Sequence, residues 1–130
     1  DDLPVWAARP LLRPGMLLGR STHDVAQARA AAAEGADYVA VGSMFATSTK
    51  PDSQLAGPDL IRKVRGEIRV PLIGIGGITA DNAAAVMRAG ADGVAVIAAV
   101  CAADDPEAAT RQLLDAVRAA RDLTPRGRPL

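Results

Sequence analysis

"AAAEGADYVAVG" (residues 31–42) and "VMRAGADGVAVI" (residues 86–97) share one pattern: an alanine-containing run ends at glycine, and Ala-Asp leads into an apolar run. Glycine commonly ends helices because it adopts the left-handed backbone conformation at no steric cost. Short continuous apolar runs are typical of parallel strands buried under helices. The repeat therefore predicts two copies of one helix-to-strand step, with Gly35 and Gly90 as helix stops.

The same alternation extends along the rest of the chain. It predicts strands at residues 16–20, 38–41, 72–75 and 93–97, and helices near residues 4–12 and at residues 24–34, 58–65, 81–89 and 106–120. Successive parallel strands with right-handed helical crossovers either close into a barrel or form a doubly wound sheet. Residues 1–121 would form this β/α unit, and residues 122–130, which contain Pro and Gly, would be a flexible tail.

The bulk composition narrows the class of partner. Fifteen basic and fifteen acidic side chains cancel, so no global field favours nucleic acid or an anionic membrane, and no apolar run is long enough to span a bilayer. The lone Cys101 and the lone His23 exclude an internal disulfide and most zinc clusters. We therefore expect a cytoplasmic protein with small-molecule partners.

The length raises a separate expectation. The chain has 130 residues and no initiator Met, whereas a complete β/α barrel takes about 200 to 400 residues. The sequence therefore indicates a segment of something longer.

A glycine-rich stretch, "GIGGIT" (residues 74–79), follows one predicted strand and precedes a helix. Gly76 and Gly77 would leave backbone amides open to an anion, joined by the amides of a short helical turn at residues 98–101. In β/α barrels, phosphate commonly binds between the loops that follow the last two strands. The alternative is that the two glycines only form a tight turn.

The longest predicted connection, residues 42–57, contains "ATSTKP" (residues 46–51). Thr47 and Thr49 could donate hydroxyl protons to phosphate oxygens, and Lys50 could neutralise a second anionic group. An ordinary surface loop could contain the same residues.

Two further segments could contribute polar groups to this site. In "GRSTH" (residues 19–23), Ser21 could donate to an anion just past a strand end, whereas His23 more readily packs or caps a helix than acts as a base. At the start of the chain, Asp1 and Asp2 could cap a helix or provide an oxygen ligand for Mg²⁺.

In this order and spacing the motifs resemble the thiamine-phosphate synthase family. The resemblance spans residues 1 to about 121 and rests on "DDLPVWAARPLL", "GRSTH", "GADYVAVGSMFATSTK", "GIGGITADNAAAVMRAGADGVAVIAAV" and "DDPEAA". It implies the C-terminal half of a TIM (β/α)8 barrel that joins a pyrimidine pyrophosphate to a thiazole phosphate with Mg²⁺.

The resemblance also implies roles for individual residues. Asp2 matches a Mg²⁺ ligand, and Ser21 and Lys50 match residues that hold the departing pyrophosphate and so would act in catalysis. The thiazole phosphate would be bound by the remaining matched positions, Thr47, Ser48, Thr49 and the backbone at Gly77, Ile97 and Ala98.

The chain also departs from the family pattern. Arg20 stands where a small apolar residue is usual, Ser43 and Ser48 where Pro is usual, and Ala98 where Ser is usual. Arg20 would need an anion if it pointed into the barrel and would be inert if it pointed outward.

The family's first half carries further pyrophosphate-binding and metal-binding motifs that are absent here. We therefore expect self-association or pairing with the missing half. A thiazole tautomerase of the same barrel family and a non-catalytic phosphate-binding fragment remain alternative functions.

Overall fold

A computed structural model describes residues 2–46 and 55–123. A parallel sheet of four strands runs in the order β1-β2-β3-β4. The strands are β1 (Gly19–Thr22), β2 (Tyr38–Val41), β3 (Leu72–Ile75) and β4 (Gly93–Ala95). The helices are α1 (Val5–Ala8), a 3-10 turn (Arg9–Leu11), α2 (Val25–Ala33), α3 (Gly57–Glu67), α4 (Ala83–Arg88), α5 (Ala98–Cys101) and α6 (Pro106–Leu123).

Helices cover one face of this sheet. Val39, Val41 and Leu72, which share that face, are fully buried. On the same face, a Cβ atom on Gly74 would lie 2.4 Å from the side chain of Val86 in α4, so this helix packs directly on the strand backbone. Ile61, Val64 and Val86 complete the apolar layer between sheet and helices.

The opposite face is more open. Ser21, Ala40, Ile73 and Gly93 form one cross-strand row on it, in which Ser21 is exposed and only Ala40 is buried. A doubly wound sheet carries helices on both faces, whereas the inner face of a barrel is covered by the strands opposite. The sequential strand order and the single helical layer therefore confirm the predicted fold, a half of a (β/α)8 barrel.

The aspartates of the repeated Gly-Ala-Asp segments hydrogen-bond to neighbouring strands at the amino-terminal edge of the sheet. Asp37 accepts a hydrogen bond from the Leu18 amide at 2.6 Å and pairs with Arg9 at 2.9 Å. The hydrogen bond from Arg9, followed by the one from the Leu18 amide, holds the pKa of Asp37 below its usual range. Asp92 repeats this arrangement with the Leu72 amide and Arg65, each at 2.8 Å.

Gly35 and Gly90 end their helices as predicted, with φ of +94° and +119°. The predictions for β2, β3 and α5 are also confirmed to the residue. The predicted end of β4 is wrong, because Ile97 turns away from the strand as the residue that precedes α5. The longest helix, α6, begins at Pro106 as predicted and continues to Leu123.

The prediction for β1 is also wrong. The leucine-rich run predicts a strand over residues 16–20, but Met16 and Leu17 are exposed and the strand begins only at Gly19. Asp37 sets this start, because its backbone and side chain both bond to Leu18, immediately before the pairing of Gly19 with Tyr38. Ser21 consequently lies within β1 and not beyond its end.

No helix in the described part of the chain is both long enough and apolar enough to cross a bilayer. Residue 1, residues 47–54 and the predicted tail from residue 124 onward lie outside the described part of the chain.

Candidate functional site

The candidate site lies at the carboxyl edge of the sheet, where the loops after all four strands emerge on one side. The loop after β2 is tied to its neighbours on both sides. The Gly42 amide donates to the carbonyl of Thr22 at the end of β1, at 3.2 Å, and the Met44 amide donates to the carbonyl of Ile75 at the end of β3, at 3.0 Å. The backbone alone therefore holds three of the loops together.

Gly76 and Gly77 form the tightest part of this contact. Both have positive φ, +97° and +65°, which other residues rarely adopt. A Cβ atom on Gly76 would lie 2.9 Å from Ser43, and one on Gly77 would lie 2.6 Å from the carbonyl oxygens of Phe45 and Ala46. The tight-turn interpretation therefore explains both glycines without a ligand. The turn also packs against Phe45 and Ala46, the residues just before Thr47.

Thr47, Ser48, Thr49 and Lys50 themselves lie outside the described residues. The two flanks of their loop are described. The Ala56 amide donates to the carbonyl of Ser43 at 2.8 Å, and the Phe45 amide donates to that of Gly76 at 3.0 Å. The two described flanks of the loop therefore meet beside the glycine turn.

The loop after β4 emerges level with the glycine turn. Ile75 pairs with Ala95 across the sheet, so Gly77 and Ile97 both lie two residues beyond a matched pair. Ile97 immediately precedes α5, and Ala98 is the first residue of that helix, whose first amides have no acceptor within the helix. Gly77 and Ile97 therefore follow neighbouring strands at the same number of residues past a matched pair.

Sequence reasoning overlooked Asn82 in this turn. Its Oδ1 accepts from the Thr79 amide at 2.8 Å and its Nδ2 donates to the carbonyl of Gly77 at 3.1 Å. Asn82 thus fixes both ends of the segment between Gly77 and Thr79. Its position just before α4 suggests a helix cap, but the side chain makes no cap hydrogen bond to α4 and bonds backward to the turn, so the sequence carries no clear signal for this role.

Ser21 faces the open side of the sheet. It is the third residue of β1 and shares its row with Ala40 and Ile73. Since the helices lie on the other side, the hydroxyl belongs to the inner face of the barrel, one residue before the strand ends.

Arg20 points the other way, because it shares its face with Val39. Its guanidinium donates to the carbonyl of Leu3 at 3.0 Å, which satisfies it without an anion. The structure therefore supports an Arg20 that points out of the barrel. The arginine also holds Leu3, the residue next to Asp2.

Asp2 is exposed at the start of the described chain. Among residues 2–46 and 55–123, no group of three acidic, His or Cys side chains could enclose a metal ion. Mg²⁺ often takes only one or two carboxylates and completes its shell with water and substrate phosphates. A single carboxylate at Asp2 fits that mode of binding.

Four parallel strands with helices on one face, and a glycine turn at their carboxyl edge, define the class: this is a β/α barrel protein. A family model described as thiamine monophosphate synthase matches residues 1–100. The chain belongs to the thiamine monophosphate synthase family.

Similar proteins agree with this assignment. The chain is 52% identical over 120 residues to a thiamine-phosphate synthase of Natronomonas pharaonis, covering 90% of this chain and 56% of that one. It is 53% identical over 114 residues to a thiamine-phosphate synthase of Chloroflexus aurantiacus, covering 87% of this chain and 52% of that one. The chain therefore spans about half the length of these relatives.

A solved structure agrees as well. The thiamine phosphate pyrophosphorylase from Pyrococcus furiosus superposes with a TM-score of 0.84 at 36% identity, covering 92% of this chain and 57% of that one. The shared part has the same architecture, so the half-barrel description rests on a solved fold.

Proposed function

We propose that this chain is the carboxyl-terminal half of a thiamine-phosphate synthase. The reaction joins 4-amino-2-methyl-5-(diphosphooxymethyl)pyrimidine to a thiazole phosphate and gives thiamine phosphate and pyrophosphate. The observation that carries the proposal is the identity of about half the residues, over most of this chain, to proteins named thiamine-phosphate synthase.

The thiazole phosphate is assigned to the loop that holds Thr47, Ser48 and Thr49, together with the backbone at Gly77, Ile97 and Ala98. The contact of Gly77 with Ala46, the residue before Thr47, supports this grouping. Hydroxyl and amide donors suit a phosphate because each gives a directed hydrogen bond to a charged oxygen. At Ala98 only the backbone amide can take part.

The pyrophosphate of the pyrimidine is assigned to Lys50 and Ser21. Lys50 follows directly on the proposed phosphate-binding loop, and Ser21 lies on the inner face of the sheet. Asp2 would hold Mg²⁺ against the same group, and the metal when bound would supply positive charge for the leaving pyrophosphate.

The proposed chemistry requires no protein nucleophile. The bond between the pyrimidine methylene carbon and the pyrophosphate oxygen breaks, and both electrons leave with pyrophosphate. The thiazole nitrogen then donates its lone pair to that carbon and forms the new carbon–nitrogen bond. The phosphate-binding residues would act by holding both substrates in line. Ser21 and Lys50 would stabilise the charge on the departing pyrophosphate.

The activity also needs a partner for the open face of the sheet. A barrel of this class takes eight strands, and β1 and β4 are the edge strands of the described four. Both flanks already carry a helix, α1 before β1 and α6 after β4. If a second copy of this chain completed the barrel, α6 of one copy and α1 of the other would both lie where one strand set meets the next. We therefore propose pairing with a different segment that supplies the other four strands.

We place this activity in the cytoplasm. Cys101 is free and exposed, which suits a reducing compartment.

A fusion of this chain behind the amino-terminal half of the Natronomonas pharaonis relative tests the proposal. The fusion should form thiamine phosphate from both substrates with Mg²⁺, and Lys50→Ala should abolish the product. Lys63→Ala is the matched control, since Lys63 is exposed on α3, and it should leave the rate unchanged. A folded fusion that makes no thiamine phosphate would refute the proposal and favour the tautomerase or the non-catalytic fragment.

A further inference from the structure

His23 connects the ends of two strands at the carboxyl edge of the sheet. It is the first residue after β1, and its Nδ1 lies 2.9 Å from the carbonyl oxygen of Gly42, the first residue after β2. Its backbone amide donates to Oε1 of Gln27 at 2.9 Å, while Asp24 caps α2 through the Gln27 amide. The backbone of His23 is therefore fixed from α2 and its ring from β2.

This contact determines where the ring carries its proton. A carbonyl oxygen can only accept a hydrogen bond, so Nδ1 must be the donor. The neutral ring is then the Nδ1–H tautomer, and Nε2 keeps its lone pair. Within residues 2–46 and 55–123, Nε2 has no hydrogen-bond partner, and the residue is exposed.

A displacement of Gly42 would also displace the loop that follows β2. Its amide donates to the carbonyl of Thr22, and a Cβ atom on it would lie 2.4 Å from the carbonyl oxygen of Ile75. Ser43 follows it and accepts from the Ala56 amide where the two described flanks of the loop meet. Any shift of the Gly42 carbonyl therefore also moves Ser43 and its hydrogen bond with Ala56.

We infer that His23 is a positioning residue for the described base of the loop after β2, residues 42–46 and 55–56, acting through Nδ1 on the Gly42 carbonyl and not through contact with substrate. This inference rests on the proposed function, because it concerns the loop assigned to thiazole phosphate and to pyrophosphate. The sequence-based alternative of a helix-capping His23 ring is wrong, because the ring bonds to the Gly42 carbonyl after β2.

The tautomer can be measured on the chain as it stands. His23 is the only histidine, so the ring nitrogens need no assignment in a long-range nitrogen–proton NMR spectrum of the ¹⁵N-labelled chain. In alkaline buffer, where imidazoles are neutral, we expect a pyrrole-type shift at Nδ1 and a pyridine-type shift at Nε2. The reverse pattern, or the averaged shifts of exchanging tautomers, would overturn the inference.

The positioning role is tested in the fusion by substitutions that replace one ring nitrogen at a time. The amide nitrogen of asparagine can occupy the place of Nδ1, whereas that of glutamine reaches the place of Nε2. His23→Ala and His23→Gln should raise the KM for the thiazole phosphate about three- to tenfold, the effect of losing one hydrogen bond, with a smaller change in kcat. His23→Asn should restore most of the loss.

Rescue by His23→Gln and not by His23→Asn would show that Nε2 is the active nitrogen and would overturn the inference. An equal loss in all three variants, with unchanged loop contacts, would overturn it as well. A parent fusion that forms no thiamine phosphate would refute the proposed function instead, and the NMR measurement would still decide the tautomer.

Discussion

Arg65 and Asp92 join the end of α3 to the start of β4 through a hydrogen-bonded ion pair of 2.8 Å. The same carboxylate oxygen accepts from the Leu72 amide, while Arg65 also donates to the carbonyls of Ile68 and Val70. The arginine and the aspartate therefore hold the turn from α3 to β3 against the start of β4. Arg9 and Asp37 repeat the arrangement at the starts of β1 and β2.

Removing the carboxylate of Asp92 should destabilise the fold. Asp92→Ala leaves the Leu72 amide without its acceptor and the partly buried Arg65 without its counter-charge, at a cost of about 1–3 kcal/mol in the free energy of unfolding. Asp92→Asn keeps an acceptor and should lose less. Urea unfolding gives these values, with Asp104→Ala as the exposed acidic control. Equal midpoints for Asp92→Ala and Asp104→Ala would contradict the role of Asp92.

Stability should depend on Asp37 in acid. The Arg9 hydrogen bond lowers the pKa of Asp37 in the folded state, so its stabilisation is complete above the ordinary value of about 3.9 and is lost as the pH falls through the lowered value. The difference in unfolding free energy between the unmodified chain and Arg9→Met should therefore be constant near neutrality and shrink below about pH 4. A difference that grew on acidification would contradict this assignment.

Two glycines with positive φ should respond differently to alanine. At Gly35 a Cβ atom meets nothing within 4 Å, so Gly35→Ala should cost only the left-handed strain, about 1–2 kcal/mol. At Gly77 the same atom would lie 2.6 Å from two carbonyl oxygens. Gly77→Ala should therefore cost more stability and, in the fusion, raise the KM for the thiazole phosphate, which Gly35→Ala should not. The comparison fails if both variants behave alike.

Gly19 makes room for the ring of Tyr38 at the start of the sheet. A Cβ atom at Gly19 would lie 2.1–2.6 Å from three atoms at the far end of that ring. Tyr38 as a residue is 37% exposed, so its side chain has room to move away. Gly19→Ala should therefore cost a modest amount of stability. In a Tyr38→Ala background the same substitution should be close to neutral, as a double-mutant cycle by urea unfolding would report. Additive effects would show that the two residues do not interact.

The sequence predicted those parts of the fold that depend on local signals. Gly35 and Gly90 marked helix ends because the left-handed conformation favours glycine wherever it occurs. The start of β1 was misjudged because Met16 and Leu17 are apolar but exposed, and what sets the strand's start is Asp37, from the next strand along the chain. The Arg9–Asp37 and Arg65–Asp92 pairs join residues far apart in sequence, so no local pattern revealed the arginines.

The candidate site was predictable to a smaller extent. The glycine turn and the short helix α5 were visible as motifs, whereas the contact of His23 with Gly42 needs the pairing of β1 with β2 before it can be seen. The assignments of Thr47, Ser48, Thr49 and Lys50 came from resemblance to a family and remain predictions, since these residues lie outside the described part of the chain.

The most direct test of the account is Mg²⁺-dependent pyrophosphate release, measured for this chain alone and for the fusion that completes the barrel. We predict release by the fusion only when the pyrimidine pyrophosphate and the thiazole phosphate are both present, and little or none by the chain alone. Release in the absence of Mg²⁺ would contradict only the proposed metal dependence. The absence of release from a folded fusion supplied with both substrates and Mg²⁺ would contradict the claim that this chain is half of a thiamine-phosphate synthase.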